Sequence, residues 1–233
     1  MRVVGLIGGM SWESSAAYYR LLNTFTKNRL GPLRSAKSLM YTVDFGEIET
    51  LQHAGRWDEA TKILVDAARR LEGGGAECVV LCTNTMHKLV GELQAATQLP
   101  LIHIADATAE RVKAKNVRKV GLLGTAFTME EAFYRERLEG FGLEVLVPRA
   151  PDRALVHRVV YDELCQGKAS PASKAEYVRI ADELVARGAE GVILGCTEIT
   201  LLIGQEDVAV PVFDTTAIHV EAAVAFALGT VYA

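Results

Sequence analysis

The sequence has no excess of positive charge, no long hydrophobic run and no cysteine-rich segment. Among its 233 residues, 25 are Lys or Arg and 29 are Asp or Glu, so the net charge is −4. A protein that binds nucleic acid neutralises phosphates with clustered Lys and Arg, so we expect no nucleic-acid partner. No apolar run reaches the roughly 20 residues that cross a bilayer, so we also expect no membrane partner.

The four cysteines are too few and too irregularly spaced for a disulfide framework or a zinc site. They are Cys78, Cys82, Cys165 and Cys196. Such a chain is typical of the reducing cytoplasm, where we expect the protein to work. The G-x-G-x-x-G motif of dinucleotide-binding proteins is not completed after Gly8-Gly9. No lysine lies in a sequence context that would mark a Schiff base. We therefore expect no metal and no cofactor. Chemistry or core packing then remain as the reasons for the cysteine thiols.

Short apolar runs alternate with helical segments along the chain. Val3–Ile7 is typical of a buried parallel strand, and Ser11 is a plausible N-cap for a helix over Ser14–Leu30. Further strands are expected at Ser38–Val43, Cys78–Cys82 and Pro100–Ile104, with helices at Trp57–Leu71, Met86–Thr97, Ala107–Lys115 and Ile218–Leu228. This order predicts an α/β fold with mainly parallel sheets flanked by helices.

The second half of the chain repeats the first. The segment Val79–Leu89 (VVLCTNTMHKL) returns as Val192–Leu202 (VILGCTEITLL), and Lys119–Gly124 mirrors Val4–Gly8. The repeat predicts two pseudo-symmetric α/β domains: residues 1–105, completed by 212–233, and residues 106–211. Because ligands bind at the carboxyl ends of parallel strands, we expect one loop from each half to line an active site in the interdomain cleft.

Overlaying the two copies pairs Thr83 with Cys196, Asn84 with Thr197 and Thr85 with Glu198. Taken alone, a cysteine at a strand end is more often a small buried hydrophobe than a nucleophile. Lone histidines such as His87, His103 and His219 are likewise more often core or capping residues than catalysts. The pattern of residues leaves these alternatives open.

The segments GLIGGMSWESS, VLCTNTMHK, GLLGT and GCTE resemble the cofactor-independent aspartate/glutamate racemase family. The resemblance runs through nearly the whole chain in order. It implies an isomerase in which two cysteines face the α-carbon of an amino acid from opposite sides, without pyridoxal phosphate. It also implies a homodimer. Hydantoin racemase, maleate isomerase and arylmalonate decarboxylase are related, so membership alone does not fix the reaction.

The first motif departs from the family pattern. The family reads Cys-Asn-Thr there, whereas Thr83 precedes Asn84-Thr85 in this chain and Cys82 lies one position earlier. A shift of one residue on a strand turns a side chain to the opposite face, so Cys82 should not replace the missing thiol. We expect an asymmetric pair in which Cys196 abstracts the α-proton and Thr83 returns one, favouring L to D.

The thiol needs help to act as a base. Cys196 is expected at a strand-to-helix turn, whose backbone amides would favour the thiolate. The resemblance and the donor types together give the expected substrate-binding residues, which are Met10, Ser11, Gln52, Asn84, Thr85, Thr125, Thr197 and Glu198. The resemblance makes acidic amino acids the first choice of substrate. Because Gln52 is neutral, whereas family members selective for acidic substrates usually place a positive charge against the distal carboxylate, a broader range is the second choice.

Two other functions remain open from the sequence. A decarboxylase or isomerase of the same superfamily needs only one thiol, which Cys196 supplies. An amino-acid-binding protein that has lost part of the catalytic residues needs no thiol. Retention of Cys196, Thr197 and Glu198 favours an enzyme.

Overall fold

The computed structural model describes residues 1–230, and these divide into two units. One unit is Met1–His103 together with residues 219–230, and the other is Ile104–Ile218. Each unit contains one four-stranded sheet whose strand pairs are all parallel. The predicted fold class is therefore confirmed.

The sheet of the first unit has the order β2-β1-β3-β4. Its strands are β1 (Val4–Gly8), β2 (Ser38–Thr42), β3 (Cys78–Leu81) and β4 (Leu101–Ile102). The helices of this part of the chain are α1 (Trp12–Leu30), α2 (Phe45–His53), α3 (Trp57–Gly73) and α4 (Val90–Ala96). A short 3-10 helix at Thr85–Leu89 precedes α4.

The two faces of this sheet bury two separate apolar clusters. Alternate residues of β3 point to opposite faces, as the pleat requires. Val79 and Leu81 belong to the cluster that includes Leu64 of α3. Cys78 and Val80 belong to the cluster that includes Tyr18 of α1. Burial on both faces explains why the central strands β1 and β3 lack polar residues.

The second unit repeats this arrangement with the order β6-β5-β7-β8. Its strands are β5 (Lys119–Gly124), β6 (Glu144–Leu146), β7 (Gly191–Gly195) and β8 (Val212–Asp214). Its longer helices are α5 (Ile104–Ala114), α6 (Ala126–Glu130), α7 (Ala132–Gly140), α8 (Ala150–Asp162) and α9 (Pro171–Ala186). Short 3-10 helices lie at Leu164–Gln166, Thr197–Leu201 and Gln205–Asp207, and α10 (Thr215–Leu228) leads back to the first unit.

A pair of glutamines shows how closely the two units repeat each other. The Gln94 Oε1 atom accepts a hydrogen bond from the backbone N–H of Leu101 at 3.1 Å, at the start of β4. The Gln205 Oε1 atom accepts one from the backbone N–H of Val212 at 2.9 Å, at the start of β8. Each amide therefore fixes the edge strand that follows it.

Three details differ from the expectations. The segment 212–218 belongs to the second unit, not the first, because β8 is hydrogen-bonded to β7. An unexpected helix, α2, follows Asp44, whose carboxylate accepts from the backbone N–H of Glu47 at 3.1 Å. The single helix expected from Met86 to Thr97 is a 3-10 turn followed by α4. The last three residues of the expected 212–233 segment lie outside the described residues.

Within the described chain, no helix combines the length and apolar character that crossing a membrane requires. The most apolar one, α10, has 14 residues. Its buried side chains, including Val220 and Val224, complete the cluster around Tyr18. Packing within the first unit therefore accounts for this apolar face of α10.

The sharp turn after β1 depends on Gly9. Its φ angle is +96°, and a Cβ atom built there would lie 2.1 Å from the carbonyl oxygen of Val43. We expect Gly9→Ala to lower the free energy of unfolding by about 1–3 kcal/mol, because the backbone would be strained and would have to move. The measurement is the urea midpoint of the variant against that of the original protein.

Gly91→Ala is the matched control. Gly91 lies in α4, and a Cβ atom there meets open space. An alanine in a helix should raise stability by about 0.5–1 kcal/mol. Equal urea midpoints for Gly9→Ala and the original protein would contradict the assignment of strain to Gly9.

Candidate active site

In the first unit, the turn between β1 and α1 is held by three serines. Ser11 caps α1, with its Oγ atom accepting from the backbone N–H of Ser14 at 3.2 Å. The Ser15 hydroxyl accepts from the N–H of Gly9 at 2.7 Å and donates to the carbonyl of Ser11 at 2.9 Å. Met10 and Ser11 are both buried. The expected ligand-contacting turn is therefore a rigid one.

The loop after β3 adjoins this turn. The Ser14 hydroxyl donates to the carbonyl of Cys82 at 2.9 Å, and the N–H of Cys82 donates to the carbonyl of Ile7 at 2.9 Å. Thr83 is half-buried, whereas Cys82 before it and Asn84 after it are buried. Of these three side chains, that of Thr83 is the most accessible.

Cys82 is part of the core. Its side chain is fully buried in the cluster that contains Val4, Tyr18 and Val80. Burial raises the pKa of the Cys82 thiol far above its ordinary value. Cys78, in the same cluster, has its pKa raised to about 12, chiefly by burial. Neither thiol is placed for proton transfer to a ligand.

Gln52 reaches the same region from α2. Its Nε2 atom lies 2.8 Å from the Sδ atom of Met86, within the 3-10 helix that begins at Thr85. Gln52, Asn84 and Thr85 are all buried. The structure thus brings the expected residues of the first unit together at the carboxyl end of its sheet.

In the second unit, Cys196 follows β7 directly. Its backbone is extended, with φ −152° and ψ 132°, and it occupies the N-cap position of the 3-10 helix Thr197–Leu201 without a side-chain capping hydrogen bond. Its side chain belongs with Val192 and Leu194 to the cluster that α8 and α9 cover, although 9% of the residue stays exposed. Cys196 therefore lies at the surface end of a buried face.

The Cys196 thiol is hydrogen-bonded to a carboxylate. Its Sγ atom lies 2.9 Å from the Oε2 atom of Glu198, itself a buried residue. Burial, and next the negative charge of Glu198, raise the pKa of Cys196 well above its ordinary value. The backbone N–H of Glu198 acts in the opposite direction with a smaller effect. A backbone amide therefore favours the thiolate, as expected, but burial and the Glu198 carboxylate outweigh it.

The remaining expected residues of the second unit lie at the same edge. Thr125 caps α6, accepting from the N–H of Thr128 at 3.3 Å. Since Gly124 pairs with Gly195, Thr125 and Cys196 follow neighbouring strands. The Thr197 hydroxyl lies 2.9 Å from that of Thr216 on α10. Thr216 was not expected from the sequence, because no motif marks it.

The two loops differ by one residue. Counted along the strand, Thr83 is equivalent to Cys196. The reference residues are Leu81 and Leu194, which pair with the equivalent residues Ile7 and Leu123 of the neighbouring strands. Counted from the 3-10 helix, Asn84 matches Cys196, because both carbonyls accept the first N–H of that turn. The first loop therefore contains one extra residue between its strand and its helix.

The chain matches the Asp/Glu/Hydantoin racemase family over residues 7–223. It belongs to that family. A crystal structure of a candidate Asp/Glu racemase from Yersinia pestis is 53% identical, covers 98% of this chain and 100% of its own, and has a TM-score of 0.91. An aspartate racemase homologue from Pyrococcus horikoshii is 37% identical, with coverages of 98% and 100% and a TM-score of 0.86.

Among curated family members, the broad specificity amino-acid racemase of Bacillus subtilis is 26% identical over 160 residues, which is 69% of either chain. These relatives are described as amino-acid racemases or as their homologues. In residues 1–230, no three His, Cys, Asp or Glu side chains are grouped so that they could hold a metal ion. The candidate site of this family member consists of hydroxyl, amide, thiol and carboxylate groups.

Glu198→Gln should lower the pKa of the Cys196 thiol, because the substitution removes a negative charge that disfavours the thiolate. The measurement is a pH titration of thiolate absorbance, with Cys196→Ala as the baseline. Glu206→Gln, the same charge change at an exposed position, is the control. If Glu198→Gln and Glu206→Gln gave the same titration, Glu198 would not set the thiol pKa.

Proposed function

We propose that this protein is an amino-acid racemase that acts without a cofactor on aspartate and glutamate, with other amino acids within its range. The observation that carries the proposal is the buried Cys196 thiol at the end of β7, 2.9 Å from the Glu198 carboxylate. A thiol with a carboxylate beside it can give up its proton to that carboxylate and then take a proton from carbon. Membership of the racemase family supports the same reaction class.

The proposed reaction begins with the resting thiol. The Cys196 proton passes to Glu198, and the thiolate takes the α-proton of the L-amino acid, leaving an electron pair on the α-carbon. That electron pair takes a proton from the Thr83 hydroxyl on the opposite face. The proposal thus requires both side chains to reach one α-carbon, as the duplicated sequence leads us to expect.

Threonine cannot act as the base as well as cysteine does. Its hydroxyl is too weak an acid to persist as an alkoxide near neutral pH, so the oxygen of the half-buried Thr83 takes a proton from solvent water as it gives one up. Glu198 returns the proton that it took from Cys196 to solvent, which restores the resting protein. Thr83 therefore donates a proton more readily than it takes one, and its deprotonation of the D-isomer, which is the reverse of the same step, is slow. Because free enantiomers have equal energy, this preference for L appears in the exchange of the α-proton and not in the final equilibrium.

The polar groups of the two loops are suited to the charge that develops on the substrate. Asn84, Thr85 and Thr197 supply hydrogen-bond donors, and Gln52 supplies a neutral amide. A neutral group accepts an acidic side chain and tolerates others, which supports a broader range. We also propose a homodimer in the cytoplasm, on the basis of the resemblance to the family.

The proposal predicts that L-aspartate or L-glutamate incubated with the protein in D2O, with nothing else added, gains α-deuterium and then gives the D-isomer. Exchange and inversion are followed by NMR and by chiral chromatography. Release of CO2 from a malonate without exchange would instead indicate a decarboxylase. Binding without exchange would indicate an amino-acid-binding protein.

Cys196→Ala should reduce α-proton exchange by about 100-fold or more, because it removes the base. Cys82→Ala is the matched control, since it deletes a thiol that lies in the core of the first unit. It should lower stability while the folded variant keeps its exchange rate. A large loss of exchange in Cys82→Ala with retention in Cys196→Ala would reverse the assignment.

Thr83→Val should separate the two proton transfers. The substitution keeps the shape of the side chain and removes the hydroxyl, so L-isomer exchange by Cys196 should persist while inversion falls. Thr83→Ser, which keeps the hydroxyl, should retain inversion. Equal inversion rates in Thr83→Val and Thr83→Ser would exclude Thr83 as the proton donor.

A further inference from the structure

Three of the five histidines in the chain lie together behind the loop that carries Thr83. The His87 ring packs edge-on against that of His103, with centroids 4.7 Å apart, and against that of His219 at 5.6 Å. All three residues are buried. The proposed reaction assigns none of them a role.

His219 forms the fixed part of this cluster. Its Nε2 atom lies 2.7 Å from the carbonyl oxygen of Ile102, and its Nδ1 atom lies 2.8 Å from the hydroxyl of Tyr18. A carbonyl only accepts, so Nε2 carries the proton and Nδ1 accepts from Tyr18. Burial lowers the pKa of His219 to about 4, which keeps the ring neutral near pH 7. Both ring nitrogens are therefore engaged, and the ring cannot rotate without losing two hydrogen bonds.

His87 connects this cluster to the Thr83 loop. Its Nδ1 atom lies 2.7 Å from the carbonyl oxygen of Thr83, so the Nδ1–H group donates to that carbonyl. The packed rings of His103 and His219 limit the positions that the His87 ring can take. The hydrogen bond therefore ties the Thr83 backbone to a rigid part of the first unit.

Thr83 needs such a tie because the loop has one residue more than its counterpart after β7. The N–H of Thr83 turns back to the carbonyl of Leu81 at 2.8 Å, and the 3-10 helix begins with the carbonyl of Asn84. Thr83 thus lies between the last hydrogen bonds of the β-sheet and the first hydrogen bond of the 3-10 helix. A side chain from the following turn supplies the hydrogen bond to its carbonyl.

We propose that His87 is a positioning residue, which holds the Thr83 backbone so that the threonine hydroxyl delivers its proton to one face of the substrate. This role rests on the proposed racemase function. His87 itself does not touch the reacting atoms in this account. Its loss should therefore affect the second proton transfer and spare the first, which Cys196 performs.

His87→Asn and His87→Gln form a matched pair. The asparagine amide places an N–H donor where Nδ1 lies, whereas the glutamine amide places its donor where Nε2 lies. The readout is the ratio of L-isomer α-exchange to inversion in D2O. We expect His87→Gln to raise this ratio about 2- to 10-fold, the usual effect of losing one hydrogen bond. His87→Asn should keep the ratio of the original protein.

The outcomes separate this inference from the proposed function. Absence of both exchange and inversion in the original protein would overturn the racemase proposal itself. A working racemase whose ratio is unchanged in His87→Gln, or raised equally in His87→Asn, would overturn the role of His87 alone. A second measurement uses the original protein, so it does not depend on whether either variant folds. There, 15N NMR at neutral pH should show the proton of His87 on Nδ1, and a proton on Nε2 alone would overturn the inference.

Discussion

The parallel pairing of β1 with β3 and of β5 with β7 is the constraint on which the site depends. It places the carboxyl ends of both strands of each pair at one edge of their sheet. In the first unit, this edge carries the Gly9 turn and the Thr83 loop. In the second, it carries Thr125 and Cys196. The aliphatic strands provide no chemistry themselves, but they determine which loops become neighbours.

The contact between Cys196 and Glu198 determines how the proposed base must work. A buried thiol beside a carboxylate rests protonated, because the thiolate would add a second negative charge to the same place. In the proposed reaction the thiol therefore ionises only as it passes its proton to Glu198. The positive ammonium group of a bound amino acid would favour that transfer.

Strand alternation was the most informative feature of the sequence. It predicted that Cys82 faces away from the reactive position, and the structure places Cys82 in the core with Val80. The duplicated motifs and the racemase family were also readable from the residues. These inferences succeeded because apolar periodicity and repeated motifs are local properties of a chain.

Other features depend on contacts between distant residues and could not be read from local patterns. The raised pKa of Cys196 follows from burial under α8 and α9, which no motif records. Helix α2 has few apolar positions, so its periodicity was too weak to predict it. The pairing of Gln94 and Gln205 with edge strands leaves no periodic signal.

In the proposed reaction, one face of the α-carbon is served by a thiol and the other by a hydroxyl that is a far weaker base. The most direct test is Thr83→Cys, with α-proton exchange of the D-isomer in D2O as the measurement, started from pure D-substrate and read before inversion is significant. The original protein should show little direct exchange of the D-isomer, and Thr83→Cys should gain it. Direct exchange of the D-isomer by the original protein at the rate of the L-isomer would contradict the assignment of Thr83 as the proton donor.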